Sequence, residues 1–403
     1  MPPSPGRDPR YELLDVWRGV ACLMVVLHHA GFALRWGDAA TLSGVDRARW
    51  LAVGLVRWMD LGVPLFFVIS GYCIAASLDA HRRRGASSWR FLGRRLRRIY
   101  PPYWAALLVF AATTWGLDAA GLGRLHRADH SLELASPGAL TRLQWLGNLT
   151  LTETWRPRVC PREWGGGGAE VYTRVAWSLC FEEQFYLASF VALLVAPRRL
   201  FAALGVATAA IVGFRAFAFD VGWLRNYEGT LPILWHEFAV GLAVYWRLVL
   251  APTHRARRAV DAALVGLLLV GVAWSYRSTE AAAAFGLVLI ATRRLDGAAG
   301  RLGWLGPLRA CGRRCYSLYL IHLPVCTVGS EWLYRLGLVG FWSRALVMIP
   351  LVSIASVAAG WAFFAVVERR FLNPPADRRA HPRPVAGEAE PVAAAVGGLG
   401  TGD

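Results

Sequence analysis

The sequence predicts an all-α integral membrane protein of about ten transmembrane helices, with both termini cytoplasmic. Three observations carry this. Of the 403 residues 56% are hydrophobic, and they collect in runs near the roughly 20 residues that cover a hydrocarbon core of about 30 Å. All 44 basic residues are Arg and none is Lys, and most sit in short loops between the apolar runs, on alternate sides, as the positive-inside rule requires. The net charge of +17 therefore reads as topology signal and anionic-lipid contact rather than as a nucleic-acid surface.

In chain order, residues 1–10 are Pro-rich and basic, a disordered cytoplasmic N-terminus ahead of a membrane domain over 11–372. The first span is Leu13–Leu34. It is too long for a signal core and is expected to stay in the mature protein. Further spans are expected near 51–78, 101–118, 175–196, 200–219, 231–250, 259–276, 281–295, 315–336 and 343–367, the stretch 281–295 being short for a crossing. Alternation leaves Arg82–Arg84, Arg94, Arg95, Arg97, Arg98, Arg198, Arg199, Arg293 and Arg294 inside. The opposite loops hold few, such as Arg225 and Arg277. Residues 119–174 form one long external connection, a length that covers a site or is a tolerated insertion. Within it Asn148-Leu149-Thr150 fits a glycosylation sequon weakly. Residues 373–403, rich in Pro, Ala and Gly, read as a disordered cytoplasmic tail. No internal repeat is evident, which weighs against inverted-repeat transporters. The seven Cys suggest no disulfide framework, and none stands at zinc spacing, so no metal is expected. A Lys-free, Ala-, Gly- and Arg-rich composition fits a GC-rich bacterial genome, and hence the inner (plasma) membrane as location.

Polar groups interrupt the spans, and ionisable side chains there usually face a protein interior. The first span carries Asp15, Arg18, His28 and His29. Eleven helical steps bring Arg18 and His29 to one face about 16 Å apart, with His28 turned about 100° away. Ser70 lies in a small-residue stretch, Ser70-Gly71, open equally to helix packing and to function. Arg95 and Arg98, three apart, share a face that can grip a phosphate, or they anchor the third span to the inner surface. Trp177-Ser178-Leu-Cys-Phe-Glu182-Glu183 brings two carboxyls into the fourth span. Counted from the outer face, they come close in depth to His29, where a carboxylate can orient an imidazole. Tyr316-Ser317-Leu-Tyr319-Leu-Ile-His322 opens the ninth span from inside and puts His322 in its inner half, as packing residue or participant. His236-Glu237 is a similar pair.

Taken in order, LDVWRGVACLMVVLHH, GVPLFFVISGY, RRLRRIYPPYW, AWSLCFEEQFYL and CYSLYLIHLPV resemble the acyltransferase-3 family of integral-membrane O-acyltransferases over residues 11–367. The resemblance implies about ten helices and transfer of an acyl group, commonly acetyl from acetyl-CoA, to a hydroxyl. The acceptor would be a saccharide, a lipid-linked glycan or another envelope or secondary metabolite. The family's Arg and His of the first span fall on Arg18 and His29, its paired Arg on Arg95 and Arg98, its carboxylates on Glu182 and Glu183. Pro64 stands where an acidic or polar residue is usual, so no role transfers there. Chemistry and resemblance then agree on acyl-CoA as co-substrate with no bound cofactor. Arg18, Arg95 and Arg98 would bind the donor phosphates and His29 would act as general base. Glu182 or Glu183 would orient it or contact the acceptor, with Ser70, Trp177, Tyr316 and His322 as further candidates. A carrier that moves an anionic glycan or metabolite without chemistry is the alternative.

Overall fold

The computed structural model describes residues 11–35, 47–122, 136–160, 168–220, 229–299 and 301–372. The ends expected to be disordered, 1–10 and 373–403, lie outside them. Leu372–Asp403 form a unit separate from Met1–Phe371, and the fold concerns the larger one.

Among the described residues the regular structure is helical: α1 (Leu13–Ala30), α2 (Arg47–Trp58), α3 (Gly62–Arg83), α4 (Ser88–Ala119), α5 (Arg142–Leu149), α6 (Arg156–Val159), α7 (Trp177–Val195) and α8 (Leu200–Asp220) come first. They are followed by α9 (Trp235–Tyr245), α10 (His254–Ala273), α11 (Arg277–Thr292), α12 (Asp296–Ala299), α13 (Gly306–Arg313), α14 (Cys315–Arg335), α15 (Phe341–Ser343) and α16 (Ile349–Val366). Among the described residues five segments are long and apolar enough to cross a membrane: Leu13–Leu34, Arg47–Arg83, Arg174–Val195, Pro197–Arg215 and Phe341–Arg370. Helices also occupy the other expected spans, but they are shorter or more polar. α11 has 16 residues, α10 opens with His-Arg-Ala-Arg-Arg, and α14 carries His322 and Glu331.

The run read as one span over 51–78 is two helices. A 3-10 turn at Met59–Leu61 divides them; α2 buries no residue and exposes Trp50, Leu51, Leu55 and Trp58. Pro64 lies buried in the first turn of α3, where the missing N–H costs nothing.

Glycines set the closest helix crossings, because a Cβ would hold the backbones apart. Gly19 of α1 faces the Leu308 carbonyl of α13, and Gly312 of α13 faces the Asp15 carbonyl in return. Gly71 of α3 and Gly241 of α9 meet the Phe238 and Val68 carbonyls in the same way. Carboxylates from late in the chain cap the helices that carry the site. Asp296 accepts the backbone N–H groups of Glu12 and Leu13 at 3.1 and 2.8 Å and is paired with Arg293 at 2.6 Å. Glu368 accepts the N–H of Ser317 at 3.0 Å and its hydroxyl as well. These bonds satisfy first-turn donors that no helical carbonyl can reach.

The described residues of the long connection, 136–160 and 168–174, form a tied-down cap. Glu153 and Arg156, both almost fully buried, pair at 2.7 Å. Glu153 also accepts the Glu170 N–H at 2.8 Å, and Arg156 donates to the Gly168 carbonyl at 3.0 Å. Asn148 is buried, donates to the Gln144 and Glu170 carbonyls and accepts the Tyr172 N–H. Its side chain is fully engaged, which removes the sequon reading. Tyr103 and Trp104 of α4 donate to the Asn148 and Leu149 carbonyls at 2.9 Å each. So dense a set of bonds holds this cap firmly against α4.

Candidate active site

Among the described residues one cavity meets α1 near Arg18 and another near His29, named inner and outer after the orientation expected from the sequence. The inner one, about 330 Å³, is lined by Arg18, Ser70, Cys73, Arg95, Arg98, Glu182, Tyr186, Tyr316 and Tyr319 with apolar neighbours. Arg18 pairs with Asp15 at 2.8 Å and donates to the Cys73 sulfur at 2.8 Å. Arg95 stacks over the Tyr186 ring, 5.2 Å from its centroid. Among the described residues no carboxylate lies within ion-pair distance of Arg95 or Arg98. Two guanidinium groups thus line one cavity without a direct ion pair among the described residues. Tyr316 donates to the Ile99 carbonyl at 2.8 Å, which fixes α14 against α4 beside these arginines.

Glu182 belongs to this inner cavity. It accepts from Ser70 at 2.6 Å, and Tyr186, one helical turn on, donates to the same oxygen. Glu183 is turned about 100° around α7 and lines neither cavity. Its Oε1 is buried with no hydrogen-bond partner among the described residues.

The outer cavity, about 500 Å³, is lined by His29, Phe32, Glu170, Arg174, Val175 and Trp177, with Ala169 and Val171. Depth counting expected a carboxylate beside His29; the structure gives it another histidine. His322 Nε2 lies 3.3 Å from His29 Nδ1. Trp177, the first residue of α7, lines the cavity of His29, and Glu182, five residues on, lines the other. His322 is correspondingly level with His29. α13 packs along the first turns of α1, so α14 starts beside Cys22 rather than at the inner end. Cys22 Sγ is 3.7 Å from the Cys315 carbonyl, and seven residues on in both helices the two rings meet.

Backbone carbonyls dictate the tautomers. His29 Nδ1 is 2.8 Å from the Val25 carbonyl, and His322 Nδ1 is 2.8 Å from that of Tyr319. A carbonyl only accepts, so in the neutral rings both Nδ1 atoms carry the proton. His322 Nε2 is then an acceptor aimed at the His29 Nδ1–H, and His29 Nε2 keeps its lone pair at the outer cavity. His28 instead reaches the Val56 carbonyl of α2 at 3.2 Å.

His236 and Glu237 lie outside both cavities. His236 meets Thr279 at 2.9 Å and Arg215, and Ser278 donates to Glu237. Sequence reasoning passed over Tyr186 and Tyr319. Each stands three or four residues from a named candidate on the same helix, which is the signal that finds them.

A base with a fixed tautomer beside a basic cavity, both within membrane helices, befits a membrane enzyme of group transfer. The model of the acyltransferase-3 family, described as an acyltransferase domain, matches residues 11–365, and the chain belongs to that family. It is an acyltransferase. A Komagataeibacter xylinus protein carrying the provisional name membrane-bound transacylase BcsY is 30% identical, with 92% of this chain and 88% of the relative covered. The exopolysaccharide production protein ExoZ of Rhizobium meliloti (strain 1021) is 27% identical, over 77% of this chain and 89% of its own length. No solved structure matches.

Proposed function

We propose that the enzyme moves a short acyl group, acetyl above others, from acyl-CoA to a hydroxyl of an envelope saccharide. The observation that carries this is that Arg95 and Arg98, with no ion-pair partner among the described residues, line a cavity adjoining the one that His29 lines. Guanidinium groups hold phosphate through paired, charge-assisted bonds, so the donor's nucleotide end sits at the inner arginines. Its pantetheine arm rises along α1, whose Arg18 and His29 are about 16 Å apart. Glu182, held by Ser70 and Tyr186, accepts from amide N–H groups of that arm. His29 Nε2 takes the proton of the acceptor hydroxyl as its oxygen attacks the thioester carbonyl. The C–S bond breaks and CoA leaves as the thiol. His322 steadies the imidazolium through the His29 Nδ1–H. The ExoZ name supports a saccharide acceptor, and the aromatic Trp177 and Phe32 at the outer cavity suit a sugar face.

In this reading ten helices cross the inner membrane, both termini are cytoplasmic and 119–174 lies outside, so that cytoplasmic acyl-CoA meets the Arg-rich end. The tail 373–403 is a disordered appendage. Acetyl-labelled acetyl-CoA incubated with reconstituted enzyme and the host's envelope saccharides should label saccharide in the wild type and not in His29→Ala. Labelling that persists in the variant, or none in the wild type, sinks the proposal. A reporter after Gly400 active only outside the cytoplasm would reverse the topology.

A further inference from the structure

The two cavities share a wall. Tyr319 lines the inner cavity, and its hydroxyl donates to the carbonyl of Val175, a lining residue of the outer one. Ser178 Oγ meets the same hydroxyl at 2.8 Å. Beside this latch Trp177 of the outer cavity packs edge-on against Phe67 of the inner one, ring centroids 6.3 Å apart. His322 donates from Nδ1 to the Tyr319 carbonyl, so latch and histidine pair occupy one turn of α14.

We propose that this wall, closed by the Tyr319 latch, sets the size of acyl group the enzyme transfers and keeps water of the outer cavity from the donor thioester. The inference rests on the acyl-CoA reading above and adds the element that selects the donor. A thioester held from the inner end reaches His29 Nε2 only through the wall. A two-carbon acyl group needs a narrow opening, whereas each further methylene must displace an aromatic ring packed on both sides. The same closure prevents a wasteful reaction. Water entering from the outer cavity would bond through its oxygen to the thioester carbonyl, the C–S bond would break, and the sulfur would take the water's proton. Free carboxylic acid and CoA thiol would result.

The test uses the full-length protein in lipid nanodiscs with acetyl-, butyryl- and hexanoyl-CoA and no acceptor, measuring donor binding and release of CoA thiol. Wild type should bind acetyl-CoA and release thiol slowly. Tyr319→Ala should raise release, and the ratio of hexanoyl- to acetyl-CoA turnover, each by about tenfold or more, the scale on which a pocket discriminates methylenes. Tyr319→Phe, which keeps the ring and loses the latch, should move both in the same direction by a smaller factor. If Tyr319→Ala fails to bind donor through misfolding, the Phe variant decides alone. Variants that bind acetyl-CoA and keep the wild-type rate and length ratio overturn the filter and leave the acyl-CoA reading intact. A wild type that binds no acyl-CoA overturns that reading, and the filter with it.

Discussion

The arginines of the inner cavity carry their charge on long side chains, whereas the histidine pair at the outer cavity consists of rings held by backbone. Arg95 rests on the face of Tyr186 and can swing from it at the cost of a contact worth about 0.5–2 kcal/mol. His29 and His322 have no such freedom, since each ring is tied to a carbonyl of its own helix, and the cap over them is pinned by a buried ion pair. Binding a flexible, multiply charged donor tolerates adaptable partners. Proton transfer does not, because it needs one tautomer in one orientation before substrate arrives. The difference separates holding from reacting along a single helix.

The sharpest way to break this comparison is at the fixed end. His29→Ala should lower kcat by about 10²–10⁴-fold, the usual worth of a general base, with acyl-CoA affinity unchanged. A residual rate within about tenfold of wild type would move the chemistry elsewhere. His28→Ala, on the α2 side, should be much milder. Next comes the cap: Glu153→Ala leaves Arg156 buried and unpaired, a loss of about 3–5 kcal/mol. It should appear as a lower unfolding temperature and weakened turnover, while donor binding at the inner cavity survives. Equal loss of both functions would show that the cavities are not separable. At the adaptable end, Arg95→Ala and Arg98→Ala should each raise KM for acyl-CoA by roughly 10- to 150-fold, for bonds worth about 1.5–3 kcal/mol. Arg82→Ala, already paired with Asp79, should change it little, and three equal effects would reduce the run to an anchor. The smallest effect is expected at His322, where Ala removes a long hydrogen bond to the His29 ring, 3.3 Å, worth about 0.5–1.5 kcal/mol, a slowing of about 2- to 12-fold. Gln, which presents an acceptor at a similar distance, should restore part of it. Failure of Gln to differ from Ala would argue that His322 only packs.

The site was legible where one helix carried it and obscure where helices had to be related. Arg18 and His29 follow from helical spacing alone, and the structure keeps both on cavity linings. Glu182 was placed beside His29 because depths were counted as if every span began at the membrane surface. It is Trp177, at the start of α7, that shares the cavity of His29, and hydrogen bonds from Tyr172 to Asn148 and Glu170 to Glu153 hold the segment leading into that helix. No local periodicity encodes those bonds. His322 was misjudged for the mirror-image reason, since α13 raises the start of α14. The break between α2 and α3 was hidden because Met59 and Leu61 keep the run apolar across a 3-10 turn. Tautomers were beyond reach, because they follow from which carbonyl each ring meets.

The capping of α1 by Asp296 has a consequence for how the enzyme is made. The end of the helix that bears Arg18 and His29 is held by a carboxylate 283 and 284 residues further on. At about 5–20 residues per second, that helix waits roughly 15–60 s in the membrane before its cap exists. His322 and Glu368 come later still. Arg18 finds Asp15 and Cys73 and His28 finds Val56 early, but until His322 arrives His29 lacks its partner ring, with the reactive helix already inserted. Activity is therefore the last property the chain acquires, and any truncation before Glu368 should leave an inserted but unreactive protein.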